Sequence, residues 1–212
     1  MCGRFFVIPS NPVIRAFLDQ MNRSPLAEGF RKEAGQPLTL SGEVLPSSVV
    51  PVLASDRKGE QRVFPMKWGF SRSAGPGKSG SGLLINARAE TAAEKPTFRE
   101  AWSGHRCVVP ASWYFEWDHP AGPDGKRRPG QKYAIRPEKA DLCWLAGLYR
   151  MENGLPSFVI LTRPADKALA WMHDRMPLMF PESLAKDWVR PEADPGALAA
   201  QCLTRVQWSP AG

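Results

Sequence analysis

The chain has 212 residues, 43% of them apolar and 23% charged, enough to bury one core and too few for two full-sized domains. No window approaches the ~18 consecutive apolar residues of a membrane helix, and Pro9, Pro12 and Arg15 interrupt the start, so spanning and secreted readings are poor and a cytoplasmic protein is expected. The formal net charge of +7 makes a polyanion such as nucleic acid the first partner to consider.

In chain order, Gly3 to Ile8 reads as a short buried strand. A helix follows with Asn11 as cap and Pro12 in its first turn, placing Val13, Ile14, Phe17, Leu18 and Met21 on one face. From Leu45 to Trp117, short β-branched and aromatic runs (VVPVLA, VFPMKWGF, LLINA, CVVPA, WYFEW) read as strands separated by turns. Ser71 to Gly82 and His119 to Gly130 are Gly-, Ser- and Pro-rich and predict loops. Gly77-Lys78-Ser79 is not a phosphate loop, because Arg72 stands where the pattern needs glycine. Strands resume at Tyr133–Arg136, Leu142–Arg150 and Ser157–Thr162. A helix-like run Asp166–Met172 and two short helices starting at Pro181 and Pro195 complete the chain. The expected fold is α+β, with a central mixed or antiparallel, barrel-like β core and a few peripheral helices.

Cys2, Cys107, Cys143 and Cys202 form no C-x-x-C pair and have no neighbouring histidine, so neither a metal site nor a disulfide framework is expected. Cys2 is the informative one. Removal of Met1 would leave an α-amine, with an ordinary pKa of ~7.7–8.0, beside a thiol. Such an amine condenses with an aldehyde to an imine that the thiol closes to a thiazolidine, or acts as base for the thiol in amide cleavage. A cysteine that merely packs is the plain alternative.

Glu116 lies in Trp113-Tyr114-Phe115-Glu116-Trp117; on a strand it shares a face with Tyr114 while the other three aromatics face away. Limited access to water there suits a carboxyl to proton exchange, although a solvent-facing glutamate is equally ordinary. His173, at the break before Arg175-Met176-Pro177, is a candidate proton carrier or phosphate contact. Asn86, Arg88 and Glu90 alternate, so a continuous strand would point all three to one side. Trp68 and Phe70 after Lys67 mix aromatic and basic character as base-stacking surfaces do.

Met1-Cys2-Gly3-Arg4-Phe5, Trp68-Gly69-Phe70, Asn86-Ala87-Arg88-Ala89-Glu90-Thr91, Arg106-Cys107-Val108-Val109-Pro110-Ala111, Phe115-Glu116-Trp117, Ala146-Gly147-Leu148 and His173-Asp174-Arg175-Met176-Pro177 occur in that order. Together they make the chain resemble the SOS response-associated peptidase (SRAP) family from Cys2 to about Phe180. The resemblance implies a single domain over 1–212, with residues beyond about 180 peripheral. It implies a sensor of abasic sites in single-stranded DNA that forms a covalent crosslink through Cys2, with thiol autopeptidase activity. By the same resemblance Asn86 orients the reacting group, Glu116 is the acid–base residue, and His173 assists proton transfer. Arg4, Arg88 and Arg175 would bind phosphates, and Trp68, Pro46 and Met176 would shape a wedge between bases. No cofactor, metal or membrane is implied, and a monomer is expected. The chain departs from the family pattern at Pro46-Ser47-Ser48, in loop 71–82, at His105-Arg106 and at Thr162-Arg163-Pro164. Two rival readings are an N-terminal-nucleophile amidase or peptidase acting on a small amide, and a non-covalent single-strand-binding module.

Overall fold

The computed structural model describes residues 2–33, 37–72, 82–122, 124–126 and 128–211. In chain order the elements are β1 (Arg4–Val7), α1 (Pro12–Arg23), α2 (Pro25–Glu33), β2 (Gly42–Val44), β3 (Val49–Ser55), β4 (Gln61–Trp68), β5 (Phe70–Ser71), β6 (Leu83–Leu84), β7 (Asn86–Arg88), α3 (Ala89–Ala92) and α4 (Arg99–Gly104). There follow β8 (Arg106–Ala111), β9 (Trp113–Trp117), β10 (Lys132–Pro137), β11 (Cys143–Glu152), β12 (Leu155–Pro164), β13 (Arg175–Pro177), β14 (Met179–Phe180), α5 (Glu182–Trp188), α6 (Pro195–Ala199) and β15 (Val206–Pro210).

Strands β12, β4, β3, β8 and β11 pair in that order, and β11 pairs back to β12, closing a small barrel. A closed sheet has no free edge, and its interior is filled by the inward side chains. The β12–β4 and β12–β7 pairs are parallel and the other strand pairs antiparallel, so the β core is mixed, as expected. All seven residues of β3 are buried, because α1 covers the outer side of a strand whose inner side already faces the core. A second, five-stranded sheet runs β15-β10-β9-β1-β2.

Local chemistry places the first helix. Asn11 Oδ1 accepts hydrogen bonds from the backbone N–H groups of Val13 (3.0 Å) and Ile14 (3.3 Å). Ile14, Phe17, Leu18 and Met21 are buried on its inner face, with Val13 at the margin. Helices α2, α3 and α4, of four to nine residues, were not foreseen, whereas α5 and α6, equally short, were expected from the prolines at their starts. The helix expected over Asp166–Met172 is instead a turn. Its ends are tied by Ala165 N–H donating to Asp174 O (2.9 Å), and β13 then draws the chain into extended pairing with β12, so the turn cannot propagate.

Residues beyond Phe180, which the resemblance leaves as periphery, are joined to the core: Trp188 of α5 is fully buried and β15 pairs along β10. Arg106 is buried inside a ring of backbone carbonyls, donating to Trp102 (2.9 Å), Ser103 (2.7 Å), Trp188 (2.8 Å) and Ala193 (3.0 Å). Carbonyls left over at the C-terminal ends of α4 and α5 thus gain a charged donor. Part of the loop at 71–82 lies outside the described residues, as do 123 and 127 in the loop at 119–130. Among the described residues no helix is long and apolar enough to cross a membrane.

Candidate active site

Strand β1 pairs antiparallel with β9, Arg4 opposite Phe115 and Phe6 opposite Trp113, which carries Cys2 to the Glu116 end of β9. Cys2 is fully buried, and its Sγ is 3.8 Å from the Arg4 carbonyl oxygen. Burial pushes the Cys2 thiol well above its ordinary value, and the Glu116 carboxylate adds to the rise. The thiol therefore stays protonated at neutral pH and needs a base when it reacts.

Alternation along β9 turns Tyr114 and Glu116 one way and Trp113, Phe115 and Trp117 the other. Glu116 is buried, with only 5% of its surface exposed. Tyr114 is fully buried near Cys2 and Glu116; burial, then those neighbours, push its phenol well above the ordinary value. On the opposite face Phe6 and Trp113 stack at 4.7 Å, and Lys132 Nζ sits 3.9 Å from the Phe115 ring centroid.

Asn86 opens β7, held beside β12 by parallel pairing with Ile160. Its Nδ2 donates to the Cys2 carbonyl at 2.9 Å. Its buried Oδ1 has no hydrogen-bond partner among the described residues, leaving an acceptor for an amine or a sugar hydroxyl. His173 stands just before β13, and its Nδ1 accepts the Arg175 backbone N–H at 2.9 Å and lies 2.8 Å from Asp174 Oδ1. Burial holds the imidazole below its ordinary value, with opposing pulls from Glu116 and Asp174, so it is neutral at pH 7. Arg4, Glu116, Trp117, His119, Pro129 and His173 line one cleft of about 450 Å³. The Glu116 carboxyl and the His173 imidazole line that cleft, while Cys2, close enough for the Glu116 charge to raise its thiol, and Asn86, bonded to the Cys2 carbonyl, are not part of its lining; together they are a set able to move protons to and from a nucleophile. Among the described residues no cluster of three His, Cys, Asp or Glu side chains is placed to hold a metal ion.

Other expected site residues fall differently. Trp68 is fully buried, tilted against Phe5 and stacked on Phe158, with Nε1 donating to Ile85 O at 2.9 Å. It has no face to offer a base; it fixes the backbone next to Asn86. Met176 is likewise 1% exposed and packs in the core rather than forming a wedge. Pro46 is half-buried in a turn whose exposed apolar residue is Leu45, while Ser47 and Ser48 bond to the Trp68 backbone. The Asn86–Arg88–Glu90 row breaks after Arg88, where the chain enters α3. Glu90 pairs with Arg175, accepting at 2.8 Å, and the same guanidinium donates to Thr162 O at 2.8 Å. Arg4 pairs with Glu43 at 2.9 Å, whereas Arg88 is exposed and makes no ion pair among the described residues. His119, Glu43 and Lys132 were not singled out from sequence. Lys132 was legible only through its register, opposite Trp117 across β9–β10.

Residues 1–210 match the family described as SOS response associated peptidase (SRAP). The chain is 29% identical over 197 residues to "Abasic site processing protein YoaM" of Bacillus subtilis, covering 91% of this chain and 80% of that one. It is 30% identical over 206 residues to "Abasic site processing protein YoqW" of the same organism, covering 93% and 84%. Among solved structures, a protein from Bacteroides thetaiotaomicron superposes with a TM-score of 0.70 at 20% identity, covering 100% of this chain and 92% of that one, so the fold is shared. With the match spanning nearly the whole sequence, the chain belongs to the SOS response associated peptidase family.

Proposed function

We propose that the protein senses abasic sites in single-stranded DNA and captures them as a thiazolidine crosslink through Cys2 once Met1 is removed. The observation that supports this reading most is the grouping of Cys2 with Glu116, whose charge raises its thiol, and with Asn86, which holds its carbonyl, next to a cleft lined by Glu116 and His173. The abasic-site processing named for its relatives supports the substrate class. We read the peptidase of the family description as self-processing that releases Met1. The protein acts as a monomer in the cytoplasm, without cofactor, and joins the nucleoid when bound to DNA.

An abasic sugar opens from hemiacetal to aldehyde when a proton is given to its ring oxygen and taken from its hydroxyl, the task assigned to Glu116. The neutral Cys2 amine adds to C1′, and loss of one water, with a proton supplied to the departing hydroxyl, gives the imine. Sulfur then adds to C1′ as the thiol proton passes to the nitrogen, through Glu116 or His173, and the five-membered ring closes. No oxidant or reductant is needed. Because burial keeps the thiol protonated, sulfur addition depends on that proton transfer. Asn86 holds the Cys2 backbone in place through its carbonyl. Arg4, Arg88 and Arg175 supply phosphate contacts, Arg88 without first breaking an ion pair.

Incubating wild type, Cys2→Ala and Cys2→Ser with abasic single strands tests this. Without reductant wild type should give an adduct stable to denaturation and neither variant should, while Ala and Ser, whose α-amines can form an imine but no thiazolidine, should give one that survives only after reduction. Equal adduct from Cys2→Ala without reductant would assign the nucleophile elsewhere. A salt-sensitive complex indifferent to Cys2 would indicate a plain binding module.

A further inference from the structure

The five-stranded sheet has an outer face of which the cleft uses only the end at Arg4 and Trp117. Directly paired residues of adjacent strands share a face, so Phe6 with Trp113, Phe115 with Ala134, Trp117 with Lys132, Ala134 with Ser209, and Arg136 with Gln207 all point outward together. The small side chains of Ala134 and Ser209 leave a hollow of about 620 Å³ in this face. One wall is the Phe6–Trp113 stack, 4.7 Å between centroids and 12° from parallel. The borders carry Arg136, exposed, and Lys132. Among the described residues the one carboxylate lining the hollow, Glu43, is held by Lys132 at 2.8 Å and by Arg4 at 2.9 Å.

We propose that this face is a second nucleic-acid subsite, which takes bases of the strand flanking the abasic nucleotide against Phe6 and Trp113 and its phosphates on Lys132 and Arg136. The inference rests on the abasic-DNA reading and extends it. Aromatic side chains on an open sheet face, bordered by cations, suit bases of a single strand because every base has a π-face to stack. The charge is complementary, since three cations (Arg4, Lys132, Arg136) adjoin a single carboxylate that two of them already engage.

The subsite is also continuous with the cleft. Arg4 and Trp117 line the cleft, the Arg4 guanidinium lies 5.2 Å from the Trp117 ring centroid, and Lys132 bridges Trp117 (5.7 Å) and Phe115 (3.9 Å). From Trp117 to Trp113 is four residues of β9, about 13 Å. At ~3.4 Å per stacked nucleotide that span takes about four nucleotides, the lower end of the ~4–16 that one single-strand-binding unit covers.

The test compares wild type, Arg136→Glu and Trp113→Leu on abasic strands with short and long flanks on each side. It adds photocrosslinking of intact strands carrying 5-iododeoxyuridine, with peptide mapping by mass spectrometry. Wild type should bind strands lengthened on one side about tenfold more tightly, both variants should lose that gain, and all three should crosslink the short abasic strand alike. Photoadducts should map to Phe6 or Trp113. Arg136 is exposed, so its variant reports even if Trp113→Leu folds poorly. A flank gain unchanged in Arg136→Glu, or photoadducts confined to other strands, would overturn the subsite. Photocrosslinking uses strands with no abasic site, so failure of wild type to capture the short strand would count against the Cys2 chemistry alone.

Discussion

Glu116, buried, and His173, half-buried, both line one cleft, yet they are assigned different work. A positioned proton-transfer group contributes ~10²–10⁴ in rate, so Glu116→Gln, nearly isosteric, should slow crosslinking by about that range while DNA affinity changes little. Single-turnover rates at saturating DNA check this; an unchanged rate would hand the proton transfers to His173 or water. For His173 the folded value lies below the unfolded one, because burial disfavours the charged ring. On acidification the unfolded chain takes up that proton first, so stability present above about pH 6.5 falls as pH drops toward the folded value. Protonation also removes the Nδ1 acceptor of the Arg175 N–H. Melting temperatures of wild type and His173→Gln across pH 5 to 8 should show a shallower acid slope in the variant. Parallel slopes would contradict this.

At the scale of elements, a few side chains decide where segments begin and what they face. Asn11→Ala leaves two N–H groups at the start of α1 without their acceptor and should cost about 1 kcal/mol in denaturant unfolding, with the slope unchanged. Arg106→Met strips charged donors from several buried carbonyls and should cost about 3 kcal/mol or more, the largest stability loss among these variants. Elements with local signatures were readable from sequence: the Asn11-Pro12 cap, and the alternation of WYFEW that turns Glu116 inward. What was not readable depended on tertiary pairing. Trp68 looks like a stacking residue beside Lys67, but barrel closure buries it, and the Asn86–Glu90 alternation ends because α3 starts at Ala89. The pairing of Glu90 with Arg175 joins residues 85 apart, a relation no local pattern contains.

For the whole molecule, the barrel and the five-stranded sheet bring residues from opposite ends of the chain to one cleft. The net charge of +7 supplies attraction toward a phosphate backbone, but the cations differ in readiness. Arg88→Ala should weaken single-strand binding across sequences and flatten the log affinity against log salt slope by about 0.7, one released counterion. Arg4→Ala should have a smaller effect, because Arg4 already shares Glu43 with Lys132. Fluorescence anisotropy over a salt series separates the two, and equal slope changes would show that the Glu43 pairing does not hold Arg4 back. The chemistry itself is read most directly from the intact mass of the denatured adduct formed with an abasic single strand. Capture by the Cys2 amine and thiol predicts the mass of the protein without Met1 plus that of the DNA less one water, with the modified peptide beginning at Cys2. An adduct that retains Met1, or one mapped to a lysine, would contradict it.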